Sequence, residues 1–522
     1  MIKDSIIKAL IESTPLVGSK VLPNVTFSAD KKNGDLTTNF ALITAKEIET
    51  SPKILAEKIK KDIEVGLNGI VEKIEVAGPG FINFFLRDEA IISGLKEIEE
   101  KIKKSFEYLD GQKINVEFIS ANPTGELHIG HGRGAFYGDA LSNVLDFSGA
   151  RVTREFYIND SKESNQIKEL GKTALGEGDV YLTEKLKTQI EKLEKNSDSI
   201  SDVGFLLSNI VQKDNQNFIE KDLGIKFDVW YSEDEKLRAS KINDKTLVEL
   251  KKKDLVYEKD GAIWLKTSEY GDDEDRVVVR SDGTASYFLS DISYHANKFS
   301  RGYTSVIDIW GADHHGHVKR IEAVKKMLGW QGDFRVFITQ LVSLKESGEI
   351  SKMSKRAGNV ILLSDLVNEF SIDVVRWFFN EKTLSTHMEF DMKRAREQTD
   401  KNPVFYVQYA HARMNSIIEK SKGLPEDLVE LKDVIKEKST RELSLKIMQF
   451  SETIEEIAKD FQVNKLTTYA YELASEFSGF YRDVRVVSDD SYNKGALEIV
   501  MSTKNVLAKT LSLLGISAPE KM

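Results

Sequence analysis

The sequence predicts a multidomain fold in which a doubly wound parallel α/β domain sits between an N-terminal α+β domain and a C-terminal all-α bundle. Three observations predict it. From residue 114 onward, short apolar runs of strand length alternate with longer amphipathic stretches, the rhythm of parallel strands joined by crossover helices. Before that point, two short apolar segments flank Ala77-Gly78-Pro79-Gly80, a strong turn signal between strands. Beyond about residue 394, apolar residues recur at three- and four-residue steps, a helical period.

Taken in order, residues 1–110 form the first expected domain. It contains strands at 70–76 and 81–86 and a charged helix or linker at 96–104, and it ends near Leu109-Asp110-Gly111. Residues 111–393 form the second. A strand at 114–120, a loop, a helix at 129–147 and a strand at 151–159 begin its sheet. A Lys-, Glu-, Asp- and Ser-rich stretch at about 162–256 reads as a solvated helical insertion. The sheet resumes with a strand at 276–280, a helix at 287–299, a strand at 305–310, a helix at 318–328 and a strand at 334–341. Residues 394–522 form the third domain, in which Leu443, Ile447, Phe450, Ile454, Ile457 and Phe461 mark one buried helical face. A chain of 522 residues accommodates three such domains, each large enough for its own core.

The bulk numbers exclude several classes. There are no cysteines, which removes disulfides, thiolate metal sites and cysteine nucleophiles. No apolar run reaches about 18 residues, so no membrane span is expected. The first residues mix charged and apolar side chains, as an amphipathic helix does and a signal peptide does not, which gives a cytoplasmic expectation. The net charge of −10 by itself favours a small-molecule enzyme over a nucleic-acid binder. It still allows local Lys/Arg patches to meet RNA.

Two motifs carry the chemistry. Ala121-Asn122-Pro123-Thr124-Gly125-Glu126-Leu127-His128-Ile129-Gly130-His131 follows a strand and opens a helix. In parallel sheets, ligands bind at the carboxyl ends of the strands, and a helix start offers free N–H groups to phosphate. His128 and His131 share one face of the first turn, and Gly130 leaves room for a base or sugar. The second motif is Lys352-Met353-Ser354-Lys355-Arg356 in a Gly/Ser-flanked loop. Its two lysines, three apart, suit closure over a polyphosphate whose charge grows as pyrophosphate leaves. Helix-start packing and a solvated charge run are the bland alternatives. The joint occurrence of the two motifs at opposite ends of one α/β domain argues against them.

Together these motifs resemble the class I aminoacyl-tRNA synthetases. His128-Ile129-Gly130-His131 matches the HIGH signature, and Lys352–Arg356 matches KMSKS except at Arg356. The resemblance narrows to the arginyl-tRNA synthetase family. Residues 117–125 (Glu-Phe-Ile-Ser-Ala-Asn-Pro-Thr-Gly), the run from Trp310 to His317, the run from Tyr406 to Arg413 and the final Ser517-Ala518-Pro519-Glu520-Lys521-Met522 are each similar to stretches of that family. Six of the eight histidines (His128, His131, His314, His315, His317 and His411) fall in these blocks.

The resemblance implies a Rossmann-type catalytic domain that joins L-arginine to tRNA(Arg) with ATP as substrate, through an arginyl-adenylate. Mg²⁺ is expected with ATP, and no structural metal. It implies catalysis by His128, His131, Lys352 and Lys355. ATP contacts are expected from His128, Gly130, His131, Gly311, Asp313, Lys352, Met353, Ser354 and Lys355. A guanidinium needs a carboxylate partner. Asp291 is the best candidate, and Tyr287 lies four residues earlier on the same helical face. Glu117, Ser120, Asn122 and His314 match further arginine-contacting positions. Family likeness assigns the C-terminal bundle to the anticodon, with Gln408, Tyr409 and Met522 nearby. It assigns the N-terminal domain to the tRNA elbow, where Phe81 would stack on a base and Asn83 would read its edge. Relatives are commonly monomers, and a monomer is expected.

Overall fold

The computed structural model describes residues 2–13, 21–194, 199–346, 349–351 and 361–522. At its centre is a five-stranded sheet in the order Asp333–Ile338, Ser305–Trp310, Lys113–Glu117, Arg151–Ile158, Val229–Ser232. Every neighbouring pair is parallel. The strands Ser305–Trp310 and Lys113–Glu117 are buried along nearly their whole length, as strands covered on both faces must be. All five carboxyl ends therefore point to one rim, where a doubly wound sheet places its ligands.

The signature helix Ile129–Phe147 follows strand Lys113–Glu117 and is buried almost all round. Glycines allow it to sit so deep. A Cβ on Gly138 would lie 2.4 Å from the ring of Phe118, and one on Gly132 would lie 2.9 Å from Leu363. The helix Tyr287–Ser300, here called the pocket helix, begins at Ser286, whose Oγ accepts the Leu289 N–H as an N-cap.

Residues 162–256 depart from the expected solvated insertion. They are largely helical, but they also supply Val229–Ser232, the outer strand of the central sheet. Conversely, Arg276–Val279 does not rejoin that sheet. It pairs antiparallel with Ala262–Leu265 in a separate three-stranded sheet. The sequence shows strand propensity but not the distant partner, so the pairing was not legible from pattern alone.

In the N-terminal region Val71–Ala77 and Phe81–Leu86 pair antiparallel across the expected turn. Gly80 there is required, since its φ is +137° and a Cβ would meet Pro52 O at 2.9 Å. The C-terminal region is helical, with helices Pro403–Ser421, Lys438–Met448, Phe450–Asp460, Asn464–Asp483 and Lys494–Leu513. All six residues expected on its apolar face are buried. One hydrophobic core runs from Ile6 through the signature helix to Ile516, so the three regions are packed against one another.

Candidate active site

The turn before the signature helix is built on strained backbone. Ile119 and Ser120 adopt φ of +67° and +38°, left-handed values that β-branched Ile119 rarely takes. Ser120 is held there by two bonds. Its Oγ donates to Glu117 Oε1 at 2.9 Å and accepts the Tyr157 N–H at 3.0 Å. The strand end is thereby turned toward the rim, in keeping with the tendency of backbone strain to collect at functional sites.

At the helix start the two signature histidines cap the backbone. His128 Nδ1 accepts the Gly130 N–H at 3.1 Å, and His131 Nδ1 accepts the His128 N–H at 3.1 Å. The rings lie 3.8 Å apart, centroid to centroid. A nitrogen that accepts carries no proton, so each ring holds its proton on Nε2. The Ile129 N–H is taken by Ile361 O at 3.1 Å, and the His131 N–H by His128 O at 2.9 Å. This corrects the expectation of free N–H groups for phosphate: the first-turn donors of Ile129, Gly130 and His131 are already used. What this turn still offers an anion is the positive helix end.

Beside this turn, on the same rim, lies a cavity of about 720 Å³. Six of the expected residues line it: Glu117, Ser120, Tyr287, Asp291, Gly311 and His314. Asn122, Asp313, Gly130 and the two signature histidines are not among its walls. Asn122 is exposed, and the Asp313 side chain is 84% exposed. The four-residue spacing of Tyr287 and Asp291 on the pocket helix does aim both at the cavity. Tyr287 Oη accepts the Asn165 N–H at 2.9 Å.

Three carboxylates face the cavity: Asp291, Glu117 and Glu233. Glu233 was not foreseen. It follows the outer strand Val229–Ser232 and is 3% exposed, and nothing in its charged local sequence sets it apart. Burial raises the Asp291 carboxyl to about 7. Glu233 and Glu117 add to that rise, while His295 and Arg320 oppose it. Glu117 is less available than expected. Its Oε2 accepts from Lys298 Nζ at 2.5 Å and from Tyr294 Oη at 2.7 Å, and its Oε1 accepts from Ser120. Such a cavity suits a compact cation with several donors.

Lys352, Met353, Ser354 and Lys355 lie outside the described residues. The chain after them is anchored at the signature turn, where Leu363 N–H donates to Leu127 O at 2.9 Å and His128 pairs with Leu362. Among the described residues, no group of three or more His, Asp or Glu side chains is placed to hold a metal ion.

The remaining expected contacts lie far along the chain. Tyr409 is 44% exposed and Met522 is 56% exposed; both line one surface cavity with Lys420, Arg413 and Arg485. Gln408 is otherwise engaged. Its amide donates to Asp373 Oδ2 at 2.8 Å and Ser517 O at 3.0 Å, which ties down the C-terminal residues. Phe81 is 40% exposed, but Asn83 is 2% exposed, and its Oδ1 accepts from Thr37 Oγ1 at 2.7 Å. Asn83 lies on the same strand face as Phe81, two residues away, but is covered by its neighbours.

The model of the class I (R) tRNA synthetase catalytic domain matches residues 95–164 and 167–420. The arginyl tRNA synthetase N-terminal domain matches 1–86, and the DALR anticodon binding domain matches 407–522. The chain belongs to the arginyl-tRNA synthetase family. It is 39% identical to the arginine–tRNA ligase of Desulforamulus reducens, over 94% of this chain and 92% of that protein. It is 39% identical to that of Caldanaerobacter subterraneus subsp. tengcongensis, over 100% of this chain and 98% of that protein. The solved arginyl-tRNA synthetase of Thermus thermophilus shares the fold, with a TM-score of 0.78 at 21% identity and complete coverage of both chains. Membership in the arginyl-tRNA synthetase family accords with a cavity walled by three carboxylates. No helix among the described residues is long and apolar enough to cross a membrane.

Proposed function

We propose that this enzyme is an arginine–tRNA ligase that activates L-arginine with ATP and transfers it to the 3′-terminal adenosine of tRNA(Arg). The observation that carries the substrate is the cavity with Asp291, Glu233 and Glu117 on its walls. A guanidinium offers five donors in a planar fork, and carboxyl groups on the cavity wall give it acceptors.

In this reading the guanidinium lies against Asp291 and Glu233, with Tyr287 at the mouth, Ser120 beside Glu117 and His314 toward the α-amino end. Asn122, standing in the exposed loop, would meet the substrate only from outside the cavity. The arginine carboxylate attacks the α-phosphate of ATP in line, and pyrophosphate leaves. The Nε2–H groups of His128 and His131 donate to phosphate oxygens as charge builds. Gly130, Gly311 and Asp313 border the adenosine and phosphates. Lys352 and Lys355, with Met353 and Ser354 between them, hold the departing pyrophosphate. Lys355 lies six positions before Ile361, a span of at most about 21 Å when fully extended, and Ile361 is bonded to the signature helix. Mg²⁺ accompanying ATP would be held by phosphate oxygens and water, as that ion usually is, and its role is to neutralise charge.

For tRNA, Tyr409 and Met522 offer an exposed aromatic and an exposed thioether beside basic residues, and Phe81 offers a stacking surface. Gln408 serves this surface indirectly, by holding the backbone at Ser517, and Asn83 stands on the same strand face as Phe81. The functional units proposed are 1–110, 111–393 and 394–522. The enzyme acts in the cytoplasm as a monomer. Aminoacylation of mixed tRNA with each amino acid in turn tests the reading: arginine alone should be charged, and charging of another amino acid in its place would refute it.

A further inference from the structure

The contact between the pocket helix and the central sheet is polar where such contacts are ordinarily apolar. Lys298 is 0% exposed and donates to Glu117 Oε2 at 2.5 Å and Asp308 Oδ1 at 2.8 Å. His295, one turn after Asp291, is 4% exposed and bonded at both ends. Its Nε2 is 3.0 Å from Asp308 Oδ2, and its Nδ1 is 2.7 Å from the Asp291 backbone carbonyl. Asp308 itself is 0% exposed, in the middle of strand Ser305–Trp310. Burial pushes the Asp308 carboxyl up, but Lys298 and His295 outweigh it and hold the group below the ordinary carboxylate range, so it is an acceptor only. The Asp291 carbonyl is likewise an acceptor only. Both bonds of His295 therefore need a proton on each ring nitrogen.

Assembling several charges away from water costs more than an apolar contact of the same shape would. What the arrangement provides is a continuous chain of bonds from one acidic wall of the cavity to another. It runs from the Asp291 turn through His295 to Asp308, and on through Lys298 to the Glu117 carboxylate.

We propose that His295 and Lys298 are positioning residues of this cavity, which through their shared partner Asp308 hold the Asp291 turn and the Glu117 carboxylate in one fixed arrangement around the substrate cation. Neither needs to touch the reacting atoms. The proposal rests on the assignment of the cavity to arginine.

Two measurements on the full-length enzyme test it. The first is the nitrogen spectrum of ¹⁵N-histidine-labelled protein, with the His295 resonances assigned by their loss in H295Q. The expected result is a ring protonated on both nitrogens; a neutral ring with one bare nitrogen would overturn the proposal. The second is aminoacylation kinetics of two variants. H295Q places an amide near the old Nε2 and keeps the Asp308 bond, while H295N places one near Nδ1 and keeps the Asp291 bond. Each loses one link to a charged network, so each should raise the arginine KM about tenfold or more while the ATP KM stays within about twofold. An unchanged arginine KM, or arginine and ATP KM rising together, would count against the proposal. Calorimetric titration of arginine into the unaltered enzyme separates the two readings. Absence of binding would defeat the substrate assignment, and the nitrogen spectrum would still judge the chain of bonds. Should one variant fail to fold, the other supplies both the assignment of the spectrum and the kinetic test.

Discussion

Asp291 illustrates how one residue ties substrate choice to stability. Its carboxyl ordinarily titrates at 3.8, and in the folded cavity it does so at about 7, with burial the main cause. The folded state therefore binds this proton more tightly than the unfolded chain does. The stabilisation is complete below about pH 4 and is lost as pH rises through about 7. The ligand-free Asp291→Asn variant should accordingly melt higher than the parent at about pH 8 and match it near pH 4, as thermal unfolding at both values would show. In the proposed assignment arginine supplies the counter-charge, so its binding should tighten as pH rises through about 7 and should release protons. Asp291→Ala should weaken arginine use by roughly 30-fold to several thousand-fold, the usual cost of orphaning one partner of a buried charge pair, and leave ATP binding intact. Near-normal charging by that variant would refute the pocket assignment. His131 divides differently, because one ring caps a helix and, in the proposed mechanism, also donates to phosphate. His131→Ala should cost about 1 kcal/mol of stability as a lost cap and roughly 100- to 1,000-fold in adenylate formation as a lost donor. A rate loss no larger than the stability loss would leave it a cap only.

Among the elements, legibility followed how local the signal was. The signature helix and the pocket helix could be read because capping residues and apolar periods are local; their observed spans, Ile129–Phe147 and Tyr287–Ser300, match the expectation to within a residue. Glu233 could not be read, because it depends on Val229–Ser232 finding Arg151–Ile158 some seventy residues earlier. In Phe81–Leu86 the residues Ile82, Asn83 and Phe84 are all buried, although Asn83 stands on the strand face opposite Ile82 and Phe84, so its burial comes from covering neighbours and not from a period-two pattern. The helix pair Asn165–Leu175 and Ile200–Asn217 offers a further test. A Cβ on Gly204 would lie 2.0 Å from Ile167 O, and one on Gly171 would lie 1.9 Å from Ile200 O, so the two backbones touch. Gly204→Ala must push the helices apart, at a cost of about 1–3 kcal/mol. Faster proteolysis within this pair would report it, and an unchanged cleavage pattern would show that the contact is slack.

At the scale of the whole molecule, the N- and C-terminal regions are coupled by direct bonds. Arg441, on the C-terminal helix Lys438–Met448, donates to Asp88 at 2.6 Å, Asp35 at 2.7 Å and Leu86 O at 2.7 Å, all in the N-terminal region. Lys3 reaches Glu452 at 2.9 Å across the same junction. Arg441→Ala should loosen that junction by about 2 kcal/mol, visible as earlier release of the N-terminal region in limited proteolysis and a lower affinity for tRNA at unchanged arginine KM. Intact docking in the variant would mean that the apolar core alone joins the two.

The outer position of Val229–Ser232 also bears on any attempt to shorten this enzyme. Excising residues 162–256 as a dispensable accessory would strip the neighbouring strand Arg151–Ile158 of its hydrogen-bonding partner. A row of bare N–H and C=O groups would then lie open to pair with another molecule. The trimmed protein would fail by sticking to itself before its chemistry could be assayed.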